Sequence, residues 1–254
     1  MITTAEVMSE RPVCLKPDDV ISKARSIIRK HGFRALPVIE DGKIVGIISR
    51  RDVLKVTSSR TNVLVGGLMT SEVFSVGPDD DIFEAARQMV KAGVRQLPVV
   101  DRRLVGIVSS FDILNAFVQA DYHPLRRSVR DVYRKKFHFC NFDDRLSSIW
   151  DMMVEENVSS MPVLEDNRVI GMISMSDIMR HGHARISEES GKPKHIAVEK
   201  VMSTPALTVN EDYATKDVAS LMARHRFLSI PVLGSKGKLV GVVDVANILK
   251  AYTG

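Results

Sequence analysis

Two short, almost purely apolar runs separated by a polar turn occur four times along the chain. In the first copy these runs are residues 36–39 and 44–49, with Asp41 and Gly42 between them. Uninterrupted Val- and Ile-rich runs predict short strands that are covered on both faces, and the tight turn predicts a hairpin. The copies read FRALPVIEDGKIVGIISRRD (33–52), VRQLPVVDRRLVGIVSSFD (94–112), VSSMPVLEDNRVIGMISMSD (158–177) and FLSIPVLGSKGKLVGVVDVAN (227–247).

A helix is predicted ahead of each hairpin, because apolar residues recur there at helical spacing. Acidic pairs, such as Asp18 with Asp19, are expected to open these helices, as the helix dipole favours. A second helix begins near the residue that closes each hairpin, and a short extended piece such as VMSERPVCL precedes the first helix. The apolar positions are Val20, Ala24, Ile27 and Ile28; Ile82, Ala85, Ala86 and Met89; Leu146, Ile149, Trp150 and Met153; and Val218, Leu221 and Met222.

The repeated unit is therefore strand, helix, strand, strand, helix. Its proline recurs at Pro37, Pro98, Pro162 and Pro231, and a glycine follows at Gly46, Gly106, Gly171 and Gly241. A recurring period indicates one structural unit repeated along the chain. A unit of about 55 residues is too small to bury its own sheet face well, so we expect the repeats to pair.

The four copies in register resemble the CBS domain. The resemblance covers nearly the whole chain and implies an α/β (α+β) fold of four repeats, paired into two pseudo-two-fold Bateman modules. This arrangement is similar to archaeal stand-alone CBS proteins and to the gamma subunit of AMP-activated protein kinase. The expected repeats are residues 1–60, 61–122, 123–188 and 189–254, with 1–122 as the first module and 123–254 as the second.

Composition favours a cytoplasmic globular protein. The hydrophobic content is 44%, and no apolar run approaches the roughly 20 residues that span a bilayer. The first ten residues lack the basic and apolar regions of a signal peptide. Cys14 and Cys140 are the two cysteines of the chain, and we expect them to be reduced thiols.

The net charge of +5 is densest in residues 123–139, with a second basic stretch around residues 179–200. Basic clusters can mark contacts with nucleic acid or membrane. No nucleic-acid-binding motif accompanies them, so a solvated basic linker is the favoured interpretation and nucleic-acid binding is the alternative.

The sequence contains no G-x-S-x-G, H-E-x-x-H or P-loop motif, so an enzyme is the least favoured class. His181, His183 and His195 lie close in sequence, but no Cys or carboxylate completes a set at metal-ligand spacing. We expect no metal and no catalytic residue.

The polar residues that close three of the hairpins follow a Ser-x-x-Asp pattern. Two interpretations stay open from the residues alone. Ser and Asp cap helices routinely. A helix start with hydroxyls also favours an anion, and a nearby carboxylate can accept hydrogen bonds from ribose hydroxyls. The pattern occurs at Ser49 and Asp52, Ser109 and Asp112, and Ser174 and Asp177.

The family resemblance implies that the aspartate holds a ribose and that the paired repeat supplies the remaining contacts. Apolar residues would sandwich an adenine, and arginines would meet phosphate. In one cleft Thr70, Phe74, Val94 and Arg95 would face Ser49, Arg51 and Asp52; in another Ser9, Val13, Phe33 and Arg34 would face Ser109 and Asp112; in a third Ser203, Leu207 and Phe227 would face Ser174, Ser176 and Asp177.

The second module departs from this pattern. Asp244 and Asn247 replace the Ser and Asp of the fourth copy, and Ser159 and Leu228 stand where the first module has arginines. A carboxylate at this position repels phosphate, so we expect that cleft to be empty or to hold an uncharged group. The third cleft is expected to carry less positive charge and to prefer fewer phosphates.

The function that these observations favour is regulatory, energy-sensing binding of AMP, ADP or ATP, with S-adenosylmethionine as a further possible ligand and no cofactor. The expected partners are an effector protein and a second copy in a homodimer. The alternatives are a nucleic-acid-associated protein that uses the basic linker and an adaptor with vestigial sites.

Overall fold

The computed structural model describes residues 1–56, 62–181 and 196–254. Each repeat has the predicted helix, hairpin and closing helix. The upstream helices are Ile21–His31, Ile82–Ala92, Leu146–Glu155 and Thr215–His225. The hairpin strands are Ala35–Glu40 with Lys43–Ser49, Gln96–Asp101 with Arg103–Ser109, Ser160–Glu165 with Arg168–Ser174, and Ser229–Leu233 with Leu239–Asp244. The closing helices are Arg50–Lys55, Ser110–Gln119, Met175–Arg180 and Val245–Thr253.

Shorter elements complete the described chain. A four-residue helix, Thr4–Val7, opens it. The two-residue strands are Ser9–Glu10, Cys140–Asn141 and Val209–Asn210. Single turns of 3₁₀ helix lie at Val65–Gly67, Val129–Asp131, Val198–Lys200 and Ser235–Gly237.

The extended piece ahead of each upstream helix is shared between two repeats. Ser9 and Glu10 of repeat 1 pair with Ile107 and Gly106 in the hairpin of repeat 2. Six residues on, Leu15 pairs with Val38 in the hairpin of its own repeat. The other repeats do the same, through the bridges Thr70 to Ile47, Ser203 to Met172 and Arg134 to Val242. Each hairpin therefore also pairs with an extended segment of the repeat that faces it, through a short strand in one case and a single bridge in the other three.

This sharing explains the repeated glycine. The glycine of each hairpin lies directly beneath a large side chain from the paired repeat: Met69 over Gly46, Met8 over Gly106, Met202 over Gly171 and Tyr133 over Gly241. At Gly171, for example, an added Cβ would lie 2.8 Å from both Met202 Sδ and the carbonyl oxygen of Ser203. Glycine is needed here because of this close approach.

The acidic pairs ahead of the upstream helices act differently from the prediction. They fold the turn before the helix: Asp19 accepts from the Lys16 backbone N–H at 2.8 Å, and Asp144 accepts from that of Asn141 at 2.8 Å. Only Asp81 caps its helix, accepting from the Phe83 N–H at 2.8 Å. The local turn outcompetes the helix dipole because side chains of Asp readily bond nearby backbone groups.

The four repeats close into a ring with two kinds of contact. Sheets meet within the pairs of repeats 1–2 and 3–4. In the pair 3–4, the hydroxyls of Ser160 and Ser229 share a hydrogen bond of 2.7 Å. Helices pack across the pairs, so that one buried core joins repeats 1 and 3 and a second joins repeats 2 and 4. In the second core Phe117 stacks on Tyr252 with ring centroids 4.8 Å apart. The predicted fold class is confirmed, and the two modules stack within one chain.

Within residues 1–56, 62–181 and 196–254, the helices lack the length and apolar character that a membrane span requires. The same residues contain no group of three or more potential metal ligands. Of the three histidines considered as a cluster, His181 follows the third closing helix, and His183 and His195 lie outside the described residues. Cys14 and Cys140 are free, and burial raises the pKa of the Cys140 thiol to about 12.

Candidate functional site

A cavity of about 350 Å³ opens between the hairpin ends of repeats 1 and 2. We call it the larger cavity. Its volume lies within the range of small-molecule sites, roughly 300–1,000 Å³. Repeat 3 contributes Asn157, Ser159 and Met175 to its wall, and repeat 4 contributes Leu228. The structure brings together here all the residues predicted for the first cleft: Ser49, Arg51, Asp52, Thr70, Phe74, Val94 and Arg95.

Ser49 and Asp52 form a capping box at the start of the first closing helix. The Ser49 N–H and hydroxyl donate to Asp52 Oδ2 at 3.0 and 2.5 Å, and the Asp52 N–H donates to Ser49 Oγ at 3.3 Å. The capping interpretation is therefore confirmed, and Ser109 with Asp112 and Ser174 with Asp177 repeat it. The cap occupies one carboxylate oxygen. The other, Asp52 Oδ1, lies 3.1 Å from the exposed ammonium of Lys55, so a ribose hydroxyl can still reach it.

Four arginines line the larger cavity: Arg34, Arg50, Arg51 and Arg95. Arg95 Nη1 donates to Ser159 Oγ at 2.5 Å, across the boundary between the modules. Arg50 is buried and donates to the carbonyl oxygens of Gly32 and Phe33 at 2.9 and 2.8 Å and also to Ser176 Oγ. Sequence reasoning missed Arg50, although it stands beside Arg51 in the run Arg50-Arg51-Asp52.

The charges around the larger cavity are unbalanced. Burial lowers the pKa of Arg34 to about 9, aided by the guanidinium groups of Arg50, Arg95 and Arg226. Burial also lowers the pKa values of Arg50 and Arg95, against the attraction of Asp177 and Asp244. A lowered arginine pKa means that the folded protein holds the positive charge at a cost, which a bound anion would reduce.

A second cavity, of about 160 Å³, lies between repeats 3 and 4. We call it the smaller cavity. Every residue predicted for the third cleft lines it: Ser174, Ser176, Asp177, Ser203, Leu207 and Phe227. Arg34 and Arg226 line it as well, so its positive charge is greater than the sequence indicated, although it has fewer arginines than the larger cavity. Arg34 arrives from repeat 1, which comparison of repeats 3 and 4 could not reveal.

The remaining predicted residues, Ser9, Val13, Phe33, Ser109 and Asp112, line neither of these two cavities. Between Ser109 and Asp112 stands Phe111, which is fully buried. It occupies the place that Arg51 has in repeat 1, and the Arg34 guanidinium carbon lies 5.0 Å from its ring centre. Arg34 therefore lines both cavities beside Phe111. Ligand binding in the cleft of Ser109 and Asp112 stays a prediction.

The fourth cleft contains an ion pair that sequence reasoning missed. Arg134 Nη2 lies 2.9 Å from Asp244 Oδ2. Arg134 has the position that Thr70 and Ser203 have in the other repeats, and its backbone N–H bonds to Val242 at 2.9 Å. Positions 159 and 228 provide no arginine to offset Asp244, as expected, but Arg134, which the expectation did not include, provides one. Aligning VYR (132–134) with LMT (68–70) and VMS (201–203) would have revealed the pair.

The comparisons with known proteins agree with this geometry. The model of the CBS domain matches residues 5–59, 65–119, 129–184 and 198–254. Protein MJ1404 of Methanocaldococcus jannaschii is 27% identical over 259 residues, covering 96% of this chain, which spans 60% of that protein's length. Protein MJ1225 of the same organism is 26% identical over 192 residues, covering 69% of this chain and 68% of that protein.

Solved structures show the same fold. The crystal structure of MJ1225, a protein proposed to be an archaeal homologue of g-AMPK, has a TM-score of 0.85 and covers 98% of this chain and 99% of that one at 20% identity. A structure from Pyrococcus horikoshii covers the same shares with a TM-score of 0.70 and 21% identity. The family model matches all four repeats, and each repeat has the same hairpin and capping box. The chain therefore belongs to the CBS domain family.

Proposed function

We propose that this protein is a regulatory, non-catalytic sensor of adenine nucleotides, AMP, ADP or ATP, which bind in the larger and smaller cavities. The observation that carries the proposal is the group of four arginines around a cavity whose wall also includes Asp52. Guanidinium forks recognise phosphate by paired, charge-assisted hydrogen bonds. The carboxylate Oδ1 of Asp52 can accept from a ribose hydroxyl, as described for the capping box.

The base would lie at the apolar end of the larger cavity. Phe74 and Val94 line this end, and the Phe74 side chain is 53% exposed. An exposed aromatic ring beside a polar pocket is suited to stacking on a flat heterocycle, which then covers it from water. In the smaller cavity Leu207 and Phe227 have the corresponding positions.

The regulatory role follows from where a ligand would lie. The wall of the larger cavity combines residues of all four repeats, including Ser159 and Leu228 of the second module. A ligand that contacts both modules favours the arrangement it binds best, and so shifts the population of module placements. The Ser49 hydroxyl is held in a helix cap, which favours binding over catalysis. We propose a cytosolic location, an effector protein as the receiver and a homodimer as the assembly.

Thermal denaturation with AMP, ADP, ATP, S-adenosylmethionine and NAD tests this proposal. A ligand that binds the native state stabilises it by about 2.7 kcal/mol at a hundred times its Kd. We expect the adenine nucleotides to raise the Tm and inorganic phosphate to raise it less. An unchanged Tm across the whole panel would refute the proposal and favour an adaptor with vestigial sites.

The structure gives less support to nucleic-acid binding by residues 123–139 than the sequence did. Arg130 lies 2.8 Å from Asp212, and Arg134 pairs with Asp244, so part of this positive charge is already matched within the chain. Affinity for nucleic acid that falls steeply with salt, without preference among nucleotides, would nevertheless favour it.

Replacing Asp52 with asparagine should separate the two roles of this residue. The amide oxygen can still accept in the capping box, but an NH₂ group replaces the oxygen proposed to meet ribose. We expect nucleotide affinity to fall by about 1 kcal/mol, roughly fivefold, with little change in the free energy of unfolding. Calorimetry with AMP measures the first quantity and urea denaturation the second.

Asp144→Asn is the control for the loss of one carboxylate, because Asp144 also accepts a backbone hydrogen bond, from Asn141, but lines neither cavity. It should leave AMP affinity unchanged. Equal losses of affinity in the two variants would contradict a direct role of Asp52 in binding.

Converting the fourth cleft to the composition of the others should open a further site. In the double variant Arg134→Ser and Asp244→Ser, hydroxyls replace the ion pair, as Thr70 and Ser49 provide them in the larger cavity. We expect calorimetry to show more nucleotide bound per chain than in the natural protein. The single variant Asp244→Ser, which keeps Arg134, is the comparison; an unchanged stoichiometry in the double variant would show that the ion pair is not what closes this cleft.

A further inference from the structure

Arg34 lies where the two cavities meet. It lines both of them, and Leu228 also lines both. Its guanidinium carbon lies 5.0 Å from the ring centre of Phe111, and the guanidinium carbon of Arg226 lies 5.3 Å from the same centre. Phe111 is fully buried in repeat 2, so this ring is a fixed support for cations from repeats 1 and 4.

No carboxylate of the described residues forms an ion pair with Arg34. The nearest charges that act on it are the positive ones of Arg50, Arg95 and Arg226. The aromatic contact holds the guanidinium where both cavities have it in their walls but leaves its charge without a carboxylate partner among the described residues. A phosphate would be the natural partner for such a group.

We propose that Arg34 is a shared phosphate-binding residue of both cavities and that their occupancy is therefore negatively coupled. The inference rests on the proposed function, since it requires phosphate-bearing ligands in both. One guanidinium carries a single positive charge, which two phosphates in contact with it must share. The first ligand therefore cancels part of the positive potential, so the second meets a weaker attraction and the repulsion of the first.

Arg50 supplies a second connection of the same kind. It lines the larger cavity, while its Nη1 donates to Ser176, which lines the smaller one. Arg51, in contrast, lines the larger cavity alone. Arg34 and Arg51 therefore offer a test pair. Substitution of either should weaken binding in the larger cavity, but only Arg34 also lines the smaller one.

The coupling is measured by calorimetry of the full chain with AMP. Ala206→Trp fills the smaller cavity without adding charge, and Leu207→Trp, which fills it from another position of the wall, is the second variant if the first does not fold. The Kd of the larger cavity is compared between this blocked protein and the natural protein with the smaller cavity saturated. We expect about a tenfold weaker Kd in the doubly occupied protein, within the usual range of site–site coupling.

Arg34→Gln should reduce this ratio well below tenfold, to the part that Arg50 and the repulsion between the two phosphates still cause, while both cavities bind AMP more weakly. Arg51→Gln should weaken the larger cavity but keep the tenfold ratio. A ratio of one in the natural protein, tighter binding of the second AMP, or a ratio that Arg34→Gln leaves unchanged would each overturn the shared role of Arg34. Absence of any AMP binding to the natural protein would instead overturn the proposed function, and the coupling with it.

Discussion

Replacing Gly241 with alanine is expected to lower the free energy of unfolding by about 2 to 3 kcal/mol, as overpacking of a well-filled site does. The added Cβ would overlap the ring of Tyr133 and lie 2.6 Å from the carbonyl oxygen of Arg134. The ring cannot swing aside freely, because Tyr133 Oη donates to Glu211 Oε1 at 2.8 Å. Urea denaturation of the ligand-free protein measures the change.

Gly67→Ala is the matched control, since a Cβ at Gly67 would meet no atom within 4 Å. We expect its unfolding free energy to stay within about 0.5 kcal/mol of the natural value, as for most surface changes. At Gly46 the overlapping group is the flexible side chain of Met69, so alanine there should cost less than at Gly241. Equal stability of the Gly241 and Gly67 variants would show that contact between the repeats does not require glycine.

Arg95→Met is expected to weaken nucleotide binding in the larger cavity by about 3 kcal/mol, roughly a hundredfold in Kd. A bidentate contact with phosphate consists of two charge-assisted hydrogen bonds, and methionine provides neither. The unfolding free energy of the ligand-free protein should be unchanged or slightly higher, because burial disfavours this charge and an apolar replacement removes that penalty. Calorimetry with AMP and urea denaturation without it measure the two effects.

Arg87→Met controls for the loss of one positive charge. Arg87 lies on an upstream helix, half exposed and 2.9 Å from Glu84, and it lines neither cavity. It should leave affinity for AMP unchanged. Loss of stability in Arg95→Met without loss of affinity would mean that Arg95 supports the module boundary through Ser159 and does not contact phosphate.

The elements and their repetition could be predicted from the sequence because their causes are local. The Val- and Ile-rich runs and the turn residues between them specify the hairpins; Asp41 and Gly42, for example, both adopt positive φ. Seven of the residues that line the larger cavity could be assigned by family resemblance, because these seven come from the two repeats that pair directly. Whether they bind a nucleotide is for the experiments above.

The residues that sequence reasoning missed are those placed by contacts between modules. Arg34 reaches the smaller cavity, and Arg50 reaches Ser176, only because helices of repeats 1 and 3 share a core. No pattern within one repeat specifies which repeats stack. Arg134 was missed for another reason: it compensates Asp244, and such a pair becomes visible only when both positions are compared across repeats.

Because extended segments pair across repeats, the chain cannot be divided at a repeat boundary without breaking contacts of both pieces. A cut between repeats 1 and 2 would leave Ser9 and Glu10 without the strand they bond to and would uncover Gly46, on which Met69 rests. A cut between the modules would spare these strands but divide both apolar cores. The stretch that recurs in the sequence is thus smaller than any piece of the molecule whose apolar core would stay covered from water.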